Sequence, residues 1–145
     1  MPDPYDLQRF VDAQQAVYAR VLSELSSGRK RSHWMWFIFP QIAGLGVSPM
    51  AQRFAITSRA EAEAYLAHGI LGPRLLECTG LVLAVKDRTI NDILGSPDDM
   101  KFRSSMTLFG AVSDQPVFGQ AIARYCPDGK DLATLQLLAE RDRKS

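Results

Sequence analysis

Gly72-Pro73-Arg74-Leu75-Leu76-Glu77-Cys78-Thr79-Gly80-Leu81-Val82-Leu83-Ala84-Val85-Lys86 is the stretch on which the fold turns. Gly72 and Pro73 suit the cap and the first position of a helix. On a helical wheel Leu71, Leu75, Cys78, Val82 and Val85 form one face, while Leu76 and Leu83 lie well round from it. That apolar arc is wider than a surface helix needs, so this helix is expected at the centre of the core. Gly80 sits in an interior turn, where Gly costs about 1 kcal/mol relative to Ala. Its presence there predicts a neighbouring helix in close approach.

Working outward, the punctuation stays helical. Asp3 is placed as an N-cap, with Pro4 at the first helical position and Asp6 in the first turn. Leu7, Phe10, Val11, Val17, Tyr18, Val21, Leu22 and Leu25 then continue a 3.6-residue stripe, with Gln14 in its one gap. One long amphipathic helix follows from that pattern, ended by Ser26, Ser27 and Gly28. Ser32 to Phe39 reads as a short helix closed by Pro40, although its six consecutive apolar residues suit a buried strand equally. Residues 41–48 read as a loop, and Pro49 opens a short helix to about Phe54. Ser58 with Glu61 makes a capping box for a helix to about His68.

Beyond the central stretch, Ser96, Pro97 and Asp99 predict a helix to about Val112. Pro116 opens another to about Tyr125, and Asp131 caps a last one before a charged tail at residues 140–144. No run alternates with a period of two, and no repeat or linker divides the chain. The expectation is an all-α, single compact globular domain over residues 1–145, with seven to nine helices around the one that follows Gly72.

Composition agrees with this and narrows the partners. The chain has 145 residues, 46% hydrophobic and 23% charged, the balance of an ordinary globular domain. At this length folding buries roughly 68 to 70% of the chain's surface, so neither metal nor disulfide is required for stability. Lys and Arg total 17 against 16 acids, a net charge of +1. Neither a nucleic acid polymer nor an anionic membrane is therefore expected as a partner, and any anion site has to be local. Met1 to Phe10 carries acids and Pro where a signal peptide has basic and then apolar residues. The apolar run Trp34 to Phe39 is far short of the ~20 residues of a membrane helix. A cytoplasmic protein is the expectation.

Chemistry concentrates in two places. Arg29 to Phe39 sets three cations and His33 directly before Trp34 and Trp36. Guanidinium forks partner phosphates and indole faces accept flat rings, so Arg31, His33, Trp34 and Trp36 suit a pocket for an anionic, nucleotide-like molecule. A basic turn feeding a core helix, with both indoles filling volume, accounts for the same residues. Two positions apart, the indoles cannot share one helix face, so at most one is fully core. In the helix after Ser96, Lys101, Arg103 and Ser105 could line a cleft at its N-terminus, with Asp98 on the side of Lys101. The alternative is that Asp98 and Asp99 complement the dipole while Lys101 runs past the core.

No reaction is spelled out. His33 and His68 lie in no metal-ligand spacing, so no metal is expected. Gly46-Val47-Ser48-Pro49-Met50 lacks the second Gly of a nucleophile elbow, no Walker sequence exists, and no cofactor fingerprint is present. Cys78 on an apolar helix face is expected to be inert, and Cys126 before Pro127 to be better exposed. The competing role is an interaction module, or a homodimer, whose surface includes Met35, Met50 and Met106.

Three stretches together carry a resemblance: residues 29–41, whose heart is Ser32-His33-Trp34-Met35-Trp36-Phe37-Ile38-Phe39-Pro40-Gln41, then Ser48-Pro49-Met50-Ala51, then residues 96–109. The chain resembles a family of small bacterial proteins catalogued as a domain of unknown function, sometimes mislabelled calpastatin. The resemblance spans nearly the whole chain and implies a compact all-helical domain with no established activity. Similar sequences usually carry Pro after the His of the segment before Leu71-Gly72, where this chain has Gly69.

Overall fold

Side-chain caps and prolines start the helices at many of the expected places. The computed structural model describes residues 2–144 and contains ten helices among them: α1 (Gln8–Gln15), α2 (Tyr18–Ser26), α3 (Met35–Ile38), α4 (Pro49–Arg53), α5 (Arg59–Ala67), α6 (Leu71–Ala84), α7 (Ile90–Leu94), α8 (Asp98–Ala111), α9 (Pro116–Tyr125) and α10 (Leu132–Lys144). The fold is all-α, and the only pairing of extended backbone among these residues is a single bridge between Ile42 and Ile56. Ser48 and Ser58 accept the amides of Ala51 and Glu61, and Pro49 and Pro116 open α4 and α9.

The departures have local causes. The expected first helix is two, because Val17 leaves the helical region at φ −120° and its amide turns back to the Gln14 carbonyl at 3.1 Å. The break lets α1 lie against α3 while α2 packs on α6. Asp3 serves as a cap from further away, accepting the Leu7 and Gln8 amides at 2.8 and 2.9 Å. The short α7, absent from the expected set, is started by Thr89 and Asp92, which bond each other's backbone amides reciprocally. It fills the chain up to Gly95, so α8 begins at Asp98 and the Ser96 hydroxyl caps nothing. The tail at residues 140–144 continues α10 through Lys144, and Arg59 meets Asp142 at 3.1 Å.

Around the central stretch the corrections are sharper. α6 starts at Leu71, one residue before Gly72, and its first amides are held by a side chain outside it. His68 Nδ1 accepts the Ile70 and Leu71 amides at 3.1 and 3.2 Å, which leaves Gly72 and Pro73 inside the first turn. α6 packs on α2, α5 and α9, and α8 packs on α5, α7, α9 and α10. These two 14-residue helices carry much of one contiguous core, in which Leu71, Leu75, Cys78, Val82, Phe102, Met106 and Phe109 are all at most 1% exposed.

Gly80 does not mark a close helix approach. A Cβ placed there meets no heavy atom within 4 Å, because the position faces open space. The structure therefore reverses the consequence of the residue. Gly80→Ala should stabilise the protein by about 1 kcal/mol, read as a higher denaturation midpoint at unchanged slope. A lowered midpoint would show that Gly80 serves some need other than packing.

Candidate functional site

Glu24 lies in the last turn of α2, where a carboxylate opposes the helix dipole, so local partners must hold it there. They come from the chain that follows Gly28, which takes φ +76° and sends the backbone back over the helix end. Glu24 accepts the amides of Arg31 and Ser32 at 2.8 and 3.0 Å, the Ser32 hydroxyl, and the Trp34 indole Nε1 at 2.9 Å. Burial pushes this carboxyl up, but bonds from the Ser32 hydroxyl, the Arg31 amide and the Trp34 indole outweigh it, and the group is held down at about 2. The segment with the cations and indoles is thus tied to α2 by one buried anion.

From that anchor the aromatic residues divide. Trp34 is 1% exposed and packs against Phe39, whereas Trp36 is only partly buried. The split is the one their two-residue spacing requires. Cations cover both rings: Lys30 Nζ lies 5.1 Å from the Trp34 centroid and Lys101 Nζ lies 5.3 Å from that of Trp36. Asp98 joins the two cations, 2.8 Å from Lys30 and 3.6 Å from Lys101. An alternating strip results, Trp34, Lys30, Asp98, Lys101, Trp36, at the junction of the α2–α3 connection and the start of α8. Asp98 acts here as a bridge between cations, beyond any complement to the dipole.

The remaining residues named from sequence are distributed differently. Arg31 and His33 are exposed, and neither side chain makes a hydrogen bond or ion pair with the described residues. Arg103, two positions beyond Lys101, projects from another side of α8. Its guanidinium is spent on the carbonyls of Gly129, Asp128 and Lys130 at 2.7, 3.2 and 2.9 Å, and it borders a separate cavity of about 260 Å³ against the Tyr125–Asp128 segment. Ser105 is fully buried, and its hydroxyl has no partner among the described residues. Arg31, His33, Trp36 and Lys101 are thus the accessible members of the set. Trp34 is buried beneath Lys30, and Arg103 belongs to a different surface.

Sequence reasoning passed over Glu24, counted Lys30 only as one of three cations before the indoles, and set Asp98 beside Lys101 without its bridge to Lys30. The signal for Glu24 was its place: an acid in the last turn of a helix is electrostatically misplaced unless donors return to it. Both thiols are inert by burial. That of Cys78, at 0% exposure, is pushed up to about 12, and Cys126, at 7%, is the more open of the two but is buried as well, which also raises its thiol. Met35 and Met106 are core residues at 2% and 0% exposure, so they form no docking surface. No group of three His, Cys, Asp or Glu side chains among the described residues could hold a metal ion, and no helix of theirs is long and apolar enough to cross a membrane.

These features define an all-helical domain with a basic, aromatic strip at its surface. The chain belongs to the family described as "Protein of unknown function (DUF1810)", which it matches over residues 4–138. It is similar to the conserved hypothetical protein Rv1873 from Mycobacterium tuberculosis, known from its crystal structure. The two are 56% identical with a TM-score of 0.93, over 94% of this chain and 99% of that one. Among curated proteins no match is found.

Proposed function

We propose that the domain binds an anionic, ring-bearing small molecule of nucleotide type at the strip around Trp36, with Arg31 and Lys101 as its anion partners. The observation that carries this reading is Lys101 poised 5.3 Å over a partly exposed indole, while the guanidinium of Arg31 has no partner among the described residues. An ammonium beside an open ring offers a planar anion both a stacking face and a counter-charge. His33, exposed next to Trp34, is a third polar contact available to the ligand.

Tryptophan fluorescence tests it directly. Titration with nucleotides, dinucleotides and sugar phosphates should find a saturable ligand, and Trp36→Phe should remove the response because Trp34 is shielded. Arg31→Ala should weaken binding about tenfold at unchanged thermal stability, since that side chain supports nothing in the fold. A panel without any ligand, or an Arg31→Ala protein that binds as well as the parent, overturns the reading.

One observation favours an interaction module instead. Met100 and Leu132 are 65% and 69% exposed, and Arg103 holds the segment before Leu132 against the helix that carries Met100. A silent ligand panel, together with a protein that self-associates in light scattering, would favour that role.

A further inference from the structure

Two short cationic segments, Arg29-Lys30-Arg31 and Lys86-Asp87-Arg88, stand far apart in sequence and side by side in the fold. Gly28 is the contact point. A Cβ placed on it stands 3.2 Å from Val85 Cγ1 and 3.6 Å from both Cδ and Nε of Arg88. Two residues on, the Lys30 amide donates to the Ile93 carbonyl at 2.7 Å, which fastens the α2–α3 connection along α7. Arg29, Arg31, Lys86 and Arg88 are all exposed, and none of their side chains makes a hydrogen bond or ion pair with the described residues.

The acids nearby do not balance them. Lys30 is already neutralised by Asp98, and the four exposed cations stand against three acids, Asp87, Asp92 and the buried Glu24 that accepts the Arg31 amide. Asp87 is exposed, and Asp92 is held in its capping box, accepting the Thr89 amide at 3.0 Å while it faces Arg88 electrostatically. On a chain whose total charge is only +1, this edge is a local concentration of positive charge. It adjoins the strip at Lys30, whose ammonium pairs with Asp98 over the Trp34 ring while its chain neighbours Arg29 and Arg31 stand exposed on the edge.

We infer that this edge receives the phosphate chain of the ligand whose ring lies at Trp36, so that the ligand class is a nucleoside polyphosphate. The inference rests on the reading of the Trp36 strip as a ligand site. Guanidinium groups bond phosphate oxygens in pairs and lysines add point charges, which suits a row of phosphates better than a single one.

Calorimetric titration with adenosine mono-, di- and triphosphate, and with inorganic triphosphate, tests the edge separately from the ring site. Affinity should rise about tenfold with each added phosphate. In the double variant Lys86→Ala, Arg88→Ala that gradient should collapse while monophosphate binding stays as in the parent. Inorganic triphosphate should bind more weakly than the nucleoside triphosphate and lose its binding in the same variant. Equal affinity for the three nucleotides, or a gradient that survives the double substitution, overturns the edge and leaves the ring site standing. Inorganic triphosphate binding as tightly as the nucleotide overturns the ring site and leaves the edge. If none of the four binds, both fall.

Discussion

Gly72→Ala is expected to destabilise the protein by about 3 kcal/mol, although Ala is the better helix former and the position lies within a helix. The cause is a backbone contact. A Cβ on Gly72 falls 2.1 Å from the Leu66 carbonyl oxygen and 3.0 Å from its carbon, and backbone cannot swing aside as a side-chain tip can. Relief requires α5 and α6 to separate at their joint. That movement would strain the His68 imidazole, which accepts the first amides of α6, and the Gly72 amide, which donates to the His68 carbonyl at 3.1 Å. Denaturant unfolding should show the loss as a lower midpoint. A variant as stable as the parent would show that the joint has room to open.

Gly72 and Gly80 together show what a single chain discloses about packing. Both stand on one amphipathic helix, and the pattern of Leu71, Leu75, Cys78 and Val82 announces the buried face correctly. Period and capping chemistry are local properties, so the helices begun by Ser48, Ser58, Pro116 and Asp131 are legible. Which glycine admits a neighbour is a property of the neighbour. Close approach was expected at Gly80 and occurs at Gly72, where the opposing atom belongs to the end of α5. The break at Val17 was hidden for a similar reason, since Gln14 looks like a flaw in a stripe until its amide meets the Phe37 carbonyl at 2.7 Å.

The candidate site follows the same division. The spacing of Trp34 and Trp36 required that only one be fully core, and the structure makes it Trp34. That Lys101 reaches Trp36 while Arg103 turns to the Gly129 carbonyl depends on what α8 packs against. Asp98 and Asp99 both suit the dipole of a first turn, and the spacing sets only Asp98 on the side of Lys101. Only Asp98 stands opposite Lys30, 68 residues away in sequence, and long-range ion pairs of this kind carry no local signature.

Glu24 should make the protein acid-labile. Its carboxyl lies at about 2 in the fold against an ordinary 4.5, so the folded state binds this proton later than the unfolded chain does. The contribution is therefore complete above about pH 5 and is lost progressively as pH falls towards 2, amounting to about 3 kcal/mol over the whole interval. Glu24→Gln keeps the shape but removes the charge and turns one acceptor into a donor facing donors. It should lose roughly 2 to 3 kcal/mol at pH 7 and flatten the acid limb of the stability profile. Glu24→Ala should cost more, roughly 3 to 5 kcal/mol, because the buried Trp34 indole and the Ser32 hydroxyl then lose their acceptor along with the packed side chain. Urea unfolding of the three proteins between pH 2 and pH 7, followed through the emission of Trp34, measures both effects. A Glu24→Gln protein whose stability falls with acid as steeply as the parent's would place the titrating group elsewhere. Should Glu24→Gln hold the fold at neutral pH yet blunt the ligand response at Trp36, the buried anion would also be positioning the Arg31 to Trp36 segment, because the same four bonds that lower its pKa set where that segment runs.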